Sequence, residues 1–275
     1  MLIETHLLGE LHSFRYCGKN PNYALVISHG FGGHGGIYDA FCTYYAEKKG
    51  ADIWSYDAPG HGRSTRSNRP RGQFEFAEWA QAGVDFANHV KQETGLPVFL
   101  LGSSFGAAAA YSGTYAEAVT ATIIMGSAVI PGGPFTAKIR EPLKSEAVQT
   151  VLKICGRGAR IDVDLTFDLD KDYGIDGASE MKHADPWNTW SYDMASWASV
   201  FTYDPIVPIE KNEKPILLVG GEKDPTFPPD LIKATAAAIA GPVDCTIMAD
   251  ATHQMMIYHT EDFSEVLEAY IKKHI

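Results

Sequence analysis

The chain has 275 residues, of which 45% are hydrophobic and 21% charged, and its formal net charge is −11. This composition is ordinary for a globular protein with one large core, and the negative charge disfavours nucleic acid as a partner because phosphate backbones attract basic surfaces. The N-terminus has no signal-peptide pattern, no run of about 18 apolar residues occurs, and the four cysteines lie far apart. We therefore expect a cytoplasmic protein without a transmembrane segment, disulfide framework or metal site.

Short apolar runs alternate with helical patterns along most of the chain. The predicted strands are residues 24–28, 51–56, 97–101, 121–125, 215–219 and 245–248. The predicted helices are residues 38–49, 74–94, 106–117, 230–240 and 261–274. Buried strands separated by helices predict an α/β protein whose sheet is mostly parallel and doubly wound, with both faces covered. Functional sites of such sheets lie at the carboxyl ends of the strands.

The alternation breaks between residues 131 and 210. The break opens with Pro-Gly-Gly-Pro and continues through a helical stretch, an acidic patch and a tryptophan-rich stretch. A connection this long needs structure of its own. We predict a cap over the carboxyl edge of the sheet at 131–210, inserted between two parts of one core, 1–130 and 211–275.

The sequence GSSFG at 102–106 directly follows the third predicted strand. A serine between two glycines at a strand-to-helix junction is typical of a sharp turn that presents a hydroxyl at the top of a sheet. Only Ser104 has glycine two residues away on both sides, so we predict that Ser104, and not Ser103, is a nucleophile.

A serine nucleophile needs a base that is held by a third group, and in sheets of this type the chain order is serine, acid, histidine. Asp224 follows the strand 215–219, and His253 follows the strand 245–248. We predict that His253 is the base and that Asp224 orients it. Alternatives for the acid and the base are Glu222, Asp230, which resembles a helix N-cap, and His259.

An oxyanion hole needs two backbone N–H groups, one from the residue after the nucleophile and one from an early loop. The candidates are the amides of Phe105 and of Phe31, which lies in the glycine-rich loop 29–34. The same loop contains GxGxxG at 30–35, so a dinucleotide site with Asp57 on the ribose is an alternative. That alternative leaves Ser104, Asp224 and His253 without a role.

In these motifs the chain resembles the α/β-hydrolase superfamily, most closely its monoacylglycerol lipase, lysophospholipase and serine-aminopeptidase-like branch. The motifs are HGFG at 29–32, DAPGHGRS at 57–64, GSSFG at 102–106, GEKD at 221–224 and TH at 252–253. The resemblance implies an α/β-hydrolase fold with a helical cap inserted after its sixth strand, and no cofactor. It also implies a Ser104–His253–Asp224 triad, an oxyanion hole at Phe31 and Phe105, and a structural turn at 57–64.

Aromatic residues recur at near-helical spacing in the predicted cap, where they either pack on the core or line an acyl pocket. They form one stripe with a methionine: Trp187, Trp190, Met194, Trp197 and Phe201. The acidic stretch 168–176 departs from a calcium loop, because its glycine is one place late and Ser179 replaces the expected glutamate. We expect no metal there.

These observations predict a cofactor-independent serine hydrolase that cleaves small-molecule carboxylic esters with a hydrophobic acyl group. An amidase or aminopeptidase, a thioesterase or a carbon–carbon hydrolase of the same fold would use the same triad. A small-molecule receptor that retains the triad is the alternative outside enzymes.

Overall fold

The three-dimensional structure is a computed structural model that describes residues 2–8, 11–66 and 70–275. Its central sheet has eight strands in these ranges, in the order β1-β2-β4-β3-β5-β6-β9-β10. The strands are β1 Leu2–Leu7, β2 Leu11–Cys17, β3 Ala24–Ser28, β4 Asp52–Tyr56, β5 Val98–Ser103, β6 Val119–Met125, β9 Ile216–Gly221 and β10 Val243–Met248. β2 pairs antiparallel with β1 and β4, and the other pairings are parallel. The predicted mostly parallel α/β sheet is confirmed.

Helices cover both faces of this sheet. They are α1 Asp39–Lys49, α2 Phe76–Thr94, α3 Gly106–Gly113, α9 Pro229–Ala238, α10 Met255–Tyr258 and α11 Thr260–Lys272. Successive residues of a strand face opposite sides, so Val26 packs in the cluster that holds Trp79 of α2, whereas Ile27 packs in the cluster that holds Phe263 of α11. Every residue of β3 is therefore buried, which explains its uninterrupted apolar sequence.

The two N-terminal strands β1 and β2 were not predicted from the sequence. β1 is an edge strand with mostly exposed side chains, and polar residues interrupt both strands. Antiparallel strands near a sheet edge lack the continuous apolar run that identifies the inner parallel strands.

The segment 131–210 follows β6 and has its own short elements. These are α4 Pro134–Leu143, α5 Glu146–Cys155, β7 Arg160–Asp162, α6 Leu169–Tyr173, α7 Ala178–His183, β8 Ser191–Asp193 and α8 Met194–Thr202, with β7 and β8 forming a two-stranded antiparallel sheet. The expected single helical stripe of aromatic residues is wrong. α8 begins at Met194, where the Asp193 side chain accepts a hydrogen bond from the Ser196 N–H, so Trp187 and Trp190 precede the helix.

The longest helix of the described ranges is α2, with 19 residues, four of them charged: Glu78, Asp85, Lys91 and Glu93. No helix in this part of the chain combines the length and the apolar character that crossing a lipid bilayer would require.

Candidate active site

Ser104 occupies a strained turn between β5 and α3. Its φ is +52°, a left-handed conformation that is uncommon for a residue with a side chain and costs about 1–3 kcal/mol. The Ser104 N–H donates to the Met125 carbonyl of β6 at 2.9 Å, which ties the turn to the neighbouring strand. Conformations of this kind persist where the surrounding structure enforces them, and they concentrate at functional sites.

The two glycines of the motif are required by close backbone approach. A Cβ on Gly102 would lie 2.4 Å from the Gly106 carbonyl oxygen, and one on Gly106 would lie 2.3 Å from the Ser28 carbonyl oxygen. No side chain fits at such distances. Ser103 is fully buried at the end of β5, whereas Ser104 is 7% exposed. Of the two hydroxyls, only that of Ser104 lies on the turn itself.

His253 and Asp224 are brought together from two different strand ends. The His253 Nδ1 lies 2.8 Å from Asp224 Oδ2, and both side chains are buried. The other carboxylate oxygen, Oδ1, accepts hydrogen bonds from the N–H groups of Thr226 at 2.9 Å and Phe227 at 3.0 Å. An ionised carboxylate only accepts hydrogen bonds, so the proton lies on Nδ1 and leaves Nε2 as an acceptor.

The imidazole lies beside the strand end that anchors Ser104. A Cβ on Gly126, the residue after Met125, would lie 2.9 Å from the His253 carbonyl oxygen and 3.5 Å from its Nδ1. Within the described ranges the His253 side chain bonds to Asp224 and makes no hydrogen bond to the Ser104 hydroxyl. The structure thus pairs the predicted base with the predicted acid next to the serine turn. The hydrogen bond between the imidazole and the Ser104 hydroxyl is not formed.

The alternative acids and base lie elsewhere. Glu222 is exposed and accepts a hydrogen bond from the Asp250 N–H at 3.0 Å. Asp230 stands in the first turn of α9 and is not its N-cap, which is Pro228, so that expectation is wrong by two residues. His259 follows α10 as its C-cap. None of the three bonds to Ser104, Asp224 or His253 in the part of the chain that the structure describes.

The loop that follows β3 abuts Ser104. A Cβ on Gly30 would lie 3.0 Å from the Ser104 Cβ, and the rings of Phe31 and Phe105 are 5.0 Å apart. The N–H groups of Phe31 and Phe105 donate to no other described residue. An oxyanion hole requires N–H groups that are not already bonded within the protein, and these two amides meet that condition.

His29 fixes the start of this loop. Its Nε2 accepts a hydrogen bond from the Ala58 N–H at 3.0 Å, so Nδ1 carries the proton and donates to the Gly30 carbonyl oxygen at 2.8 Å. Complete burial lowers the pKa of His29 well below its usual value. His29 is therefore a neutral structural residue that shapes the loop.

The acidic residue of the alternative dinucleotide site is already occupied by backbone groups. Asp57 accepts hydrogen bonds from the N–H of Gly35 on one oxygen and of Arg63 on the other, both at 2.8 Å. The Asp57 side chain is also buried, which leaves its carboxylate no open surface for a ribose hydroxyl. His61 of the same turn is fully buried, and burial lowers its pKa to about 4, in keeping with a structural role for 57–64.

The four predicted pocket residues are dispersed. Trp197 lies 4.6 Å from Phe31 and 5.1 Å from Phe105, measured between ring centroids. Trp190 stacks on His183 at 3.6 Å, and the exposed Trp187 lies over Arg63 and Arg71. Met194 is half-buried at the start of α8. Of the four, Trp197 is the one in contact with the two residues of the candidate oxyanion hole.

Tyr192 also lies at the site, and sequence reasoning missed it. Its ring stacks on Phe31 at 3.7 Å, and its hydroxyl accepts a hydrogen bond from the Gly32 N–H at 2.9 Å. A single tyrosine between two tryptophans carries no spacing signal that distinguishes it from other aromatic residues.

Two carboxylates of the acidic stretch 168–176 accept hydrogen bonds from backbone N–H groups. Asp168 caps α6, and Asp170 accepts hydrogen bonds from the N–H groups of Gly177 and Ser179. In the described ranges, no group of three or more His, Cys, Asp or Glu side chains is arranged to hold a metal ion.

Comparison with known proteins agrees with this architecture. The model of the alpha/beta hydrolase family matches residues 25–268. A search of curated proteins gives no match. Similar solved structures include a thermostable carboxyl esterase from Bacillus coagulans, with 16% identity, a TM-score of 0.76 and coverage of 100% of this chain and 98% of the other. They also include a monoglyceride lipase from Saccharomyces cerevisiae, with 16% identity, a TM-score of 0.75 and coverage of 100% and 95%. A monoacylglycerol lipase from Paleococcus ferrophilus has 18% identity, a TM-score of 0.69 and coverage of 97% and 100%. Fold, strand order and family match agree: the chain belongs to the alpha/beta hydrolase family.

Proposed function

We propose that the protein is a cofactor-independent serine hydrolase that cleaves carboxylic esters with a hydrophobic acyl group. The observation that carries the proposal is the 2.8 Å contact between His253 and Asp224 beside the strained turn of Ser104. A strained serine at a strand end, next to an imidazole whose tautomer is fixed by a buried carboxylate, is the arrangement that serine activation needs.

In the proposed reaction, His253 acts first as a base and then as an acid in each of two half-reactions. The Ser104 hydroxyl attacks the ester carbonyl carbon while His253 Nε2 takes its proton, and Asp224 stabilises the resulting imidazolium. The N–H groups of Phe31 and Phe105 bind the negative oxygen of the tetrahedral intermediate. His253 then protonates the departing alcohol, which leaves an acyl group on Ser104. Water activated by His253 releases the carboxylic acid and restores the serine.

The aromatic surroundings support an apolar acyl group. Phe31, Phe105 and Trp197 form a contiguous aromatic cluster next to Ser104, and Tyr192 stacks on its Phe31. Apolar surface at the reacting centre favours hydrophobic acyl chains over charged ones. The similar folds of a carboxyl esterase and of monoacylglycerol lipases agree with this substrate class.

A second candidate is a small-molecule receptor that retains the triad. It is favoured by the limited exposure of Ser104 and His253, 7% and 6%, and by the missing hydrogen bond between them. A receptor would bind the ester and turn it over slowly or not at all. Multiple turnover separates the two candidates.

The test is hydrolysis of p-nitrophenyl esters of graded acyl length by the wild-type protein and two serine variants. Ser104→Ala should abolish turnover because it removes the nucleophile. Ser103→Ala is the matched control and should retain activity, since that side chain belongs to the strand. A Ser104→Ala protein that remains folded and near wild-type in activity would refute the assignment, and stoichiometric acylation without turnover would favour the receptor.

A further inference from the structure

A closed ring of hydrogen bonds connects the proposed acid and base to the 131–210 segment. Asp224 Oδ1 accepts from the Thr226 N–H at 2.9 Å, and the Thr226 hydroxyl donates to Asp172 Oδ1 at 2.6 Å. The backbone carbonyl of Asp172 accepts from the His253 N–H at 3.1 Å. With the contact between His253 and Asp224, the ring returns to its starting point.

A second pair of contacts fixes the same loop to the same helix. The Thr252 hydroxyl donates to the Tyr173 carbonyl oxygen at 2.9 Å. Gly174 ends α6 in a left-handed conformation, and a Cβ there would lie 2.9 Å from the Thr252 methyl carbon. The residues before and at the imidazole are therefore both held by the end of α6, which orders them relative to that segment.

The Asp172 carboxylate is buried, on the residue whose carbonyl oxygen accepts from the His253 N–H. Burial raises the pKa of Asp172, while the hydrogen bond from Thr226 and the attraction of His253 oppose the rise. Asp224 on the loop after β9 and Asp168, the N-cap of α6, act in the same direction as burial. A negative charge on Asp172 attracts a positively charged imidazole and repels Asp224. The charge of Asp172 and its hydrogen bond to Thr226 therefore both affect the position and protonation of His253.

We propose that Asp172 is a positioning residue, which acts through Thr226 and the His253 backbone to orient the imidazole of the proposed triad and to stabilise its protonated form. This inference rests on the proposed function, because it assigns Asp172 a role in that reaction. It also gives the 131–210 segment a part in the chemistry beyond covering the site.

The test compares Asp172→Asn with Asp176→Asn, an exposed aspartate of the same segment that gives the same change in charge. For Asp172→Asn we expect kcat to fall about tenfold, with KM changed less than about twofold, because the amide still accepts from the Thr226 hydroxyl but lacks the negative charge that stabilises the protonated imidazole. The acid limb of the kcat/KM profile should move to lower pH by about half a unit or more, because the neutral amide no longer stabilises the protonated imidazole. Asp176→Asn should match the wild type in both.

A merely structural role for Asp172 gives a different result. It would lower the activity and the free energy of unfolding while leaving the acid limb where it is, and that outcome overturns the inference. If Asp172→Asn does not fold, Thr226→Val and Thr226→Ser decide. Thr226→Val removes the hydroxyl and should lower kcat, whereas Thr226→Ser keeps it and should retain more activity; equal activity of the two overturns the inference.

The two proposals fail separately. The Ser104→Ala and Ser103→Ala comparison is read first, in a protein with intact Asp172, so persistence of activity in Ser104→Ala rejects the proposed function alone. Loss of activity in Ser104→Ala together with an unmoved acid limb in Asp172→Asn rejects only the role of Asp172.

Discussion

Two residues of the candidate site adopt energetically costly arrangements, one in its backbone and one in its buried charge. Ser104 is held in a left-handed conformation, and Asp224 is buried with both carboxylate oxygens bonded, one to the imidazole and one to two N–H groups. A buried carboxylate with all its bonds made is expensive to assemble, since each desolvated charge must be compensated. Such an arrangement is the form that preorganised catalysis takes.

The role of Asp224 can be tested by removing its charge while keeping its shape. Asp224→Asn should lower kcat by about 10³–10⁴, because an amide cannot hold the imidazole in the tautomer that accepts the serine proton. Steady-state hydrolysis of a p-nitrophenyl ester measures the effect, with the exposed Asp230→Asn as control. A change of only about twofold in Asp224→Asn would point to a different acid.

At the scale of elements, the parallel strands bring the residues of the candidate site to one edge of the sheet. Ser104, Asp224, His253 and Phe31 each follow the carboxyl end of a strand, respectively β5, β9, β10 and β3. β3, β5 and β9 are fully buried and largely apolar because both faces are covered, whereas the edge strand β10 is only partly buried. The sequence pattern of such strands predicts the sheet and the edge at which the loops meet. This is why the sequence predicts that Ser104 and Asp224, which are more than a hundred positions apart, lie at the same edge of the sheet.

Other parts of the site could not be predicted because they depend on tertiary contacts between segments that are distant in the sequence. The pairing of Asp172 with Thr226 depends on how the 131–210 segment packs, and nothing in the sequence of 168–176 distinguishes Asp172 from its acidic neighbours. Trp187 packs against two arginines at the surface. The spacing of aromatic residues in the sequence cannot distinguish this position from one that faces the site. The boundaries of the cap stay a prediction for the same reason.

The loops after β3 and β4 should make the protein sensitive to acid. His29 and His61 are fully buried and their pKa values lie below the usual 6.5, that of His61 at about 4. Below about pH 6.5 the unfolded chain binds protons that the folded protein does not, so each group lowers the free energy of unfolding by up to about 1.4 kcal/mol per pH unit as the pH falls toward its folded pKa.

Denaturant unfolding at pH 7, 6 and 5 measures this loss. His61→Asn, whose amide cannot be protonated in this range, should show a shallower fall than the wild type between pH 6.5 and 5. The matched control is His274→Asn, which changes a histidine near the C-terminus outside these loops. Equal slopes for His61→Asn and the wild type would show that His61 does not carry the effect.

At the scale of the whole molecule, the strands and turns of the sheet and the 131–210 segment contribute different residues to the candidate site. The core supplies the strand order and the turns that carry Ser104, Asp224 and His253. The 131–210 segment supplies Tyr192 and Trp197 on the aromatic side of the serine and Asp172 on the imidazole side. In the proposed reaction, the core supplies the groups that break the ester bond and the 131–210 segment supplies aromatic side chains beside them.

The central claim is that the Ser104 hydroxyl is a nucleophile activated by His253, and covalent labelling tests it most directly. The protein is treated with a fluorophosphonate, digested, and the adduct located by peptide mass spectrometry in the wild type, Ser103→Ala and Ser104→Ala. We predict one adduct on Ser104 in the wild type and in Ser103→Ala, and none in Ser104→Ala. An adduct on Ser103 or elsewhere, or ester turnover without labelling of Ser104, would contradict the account.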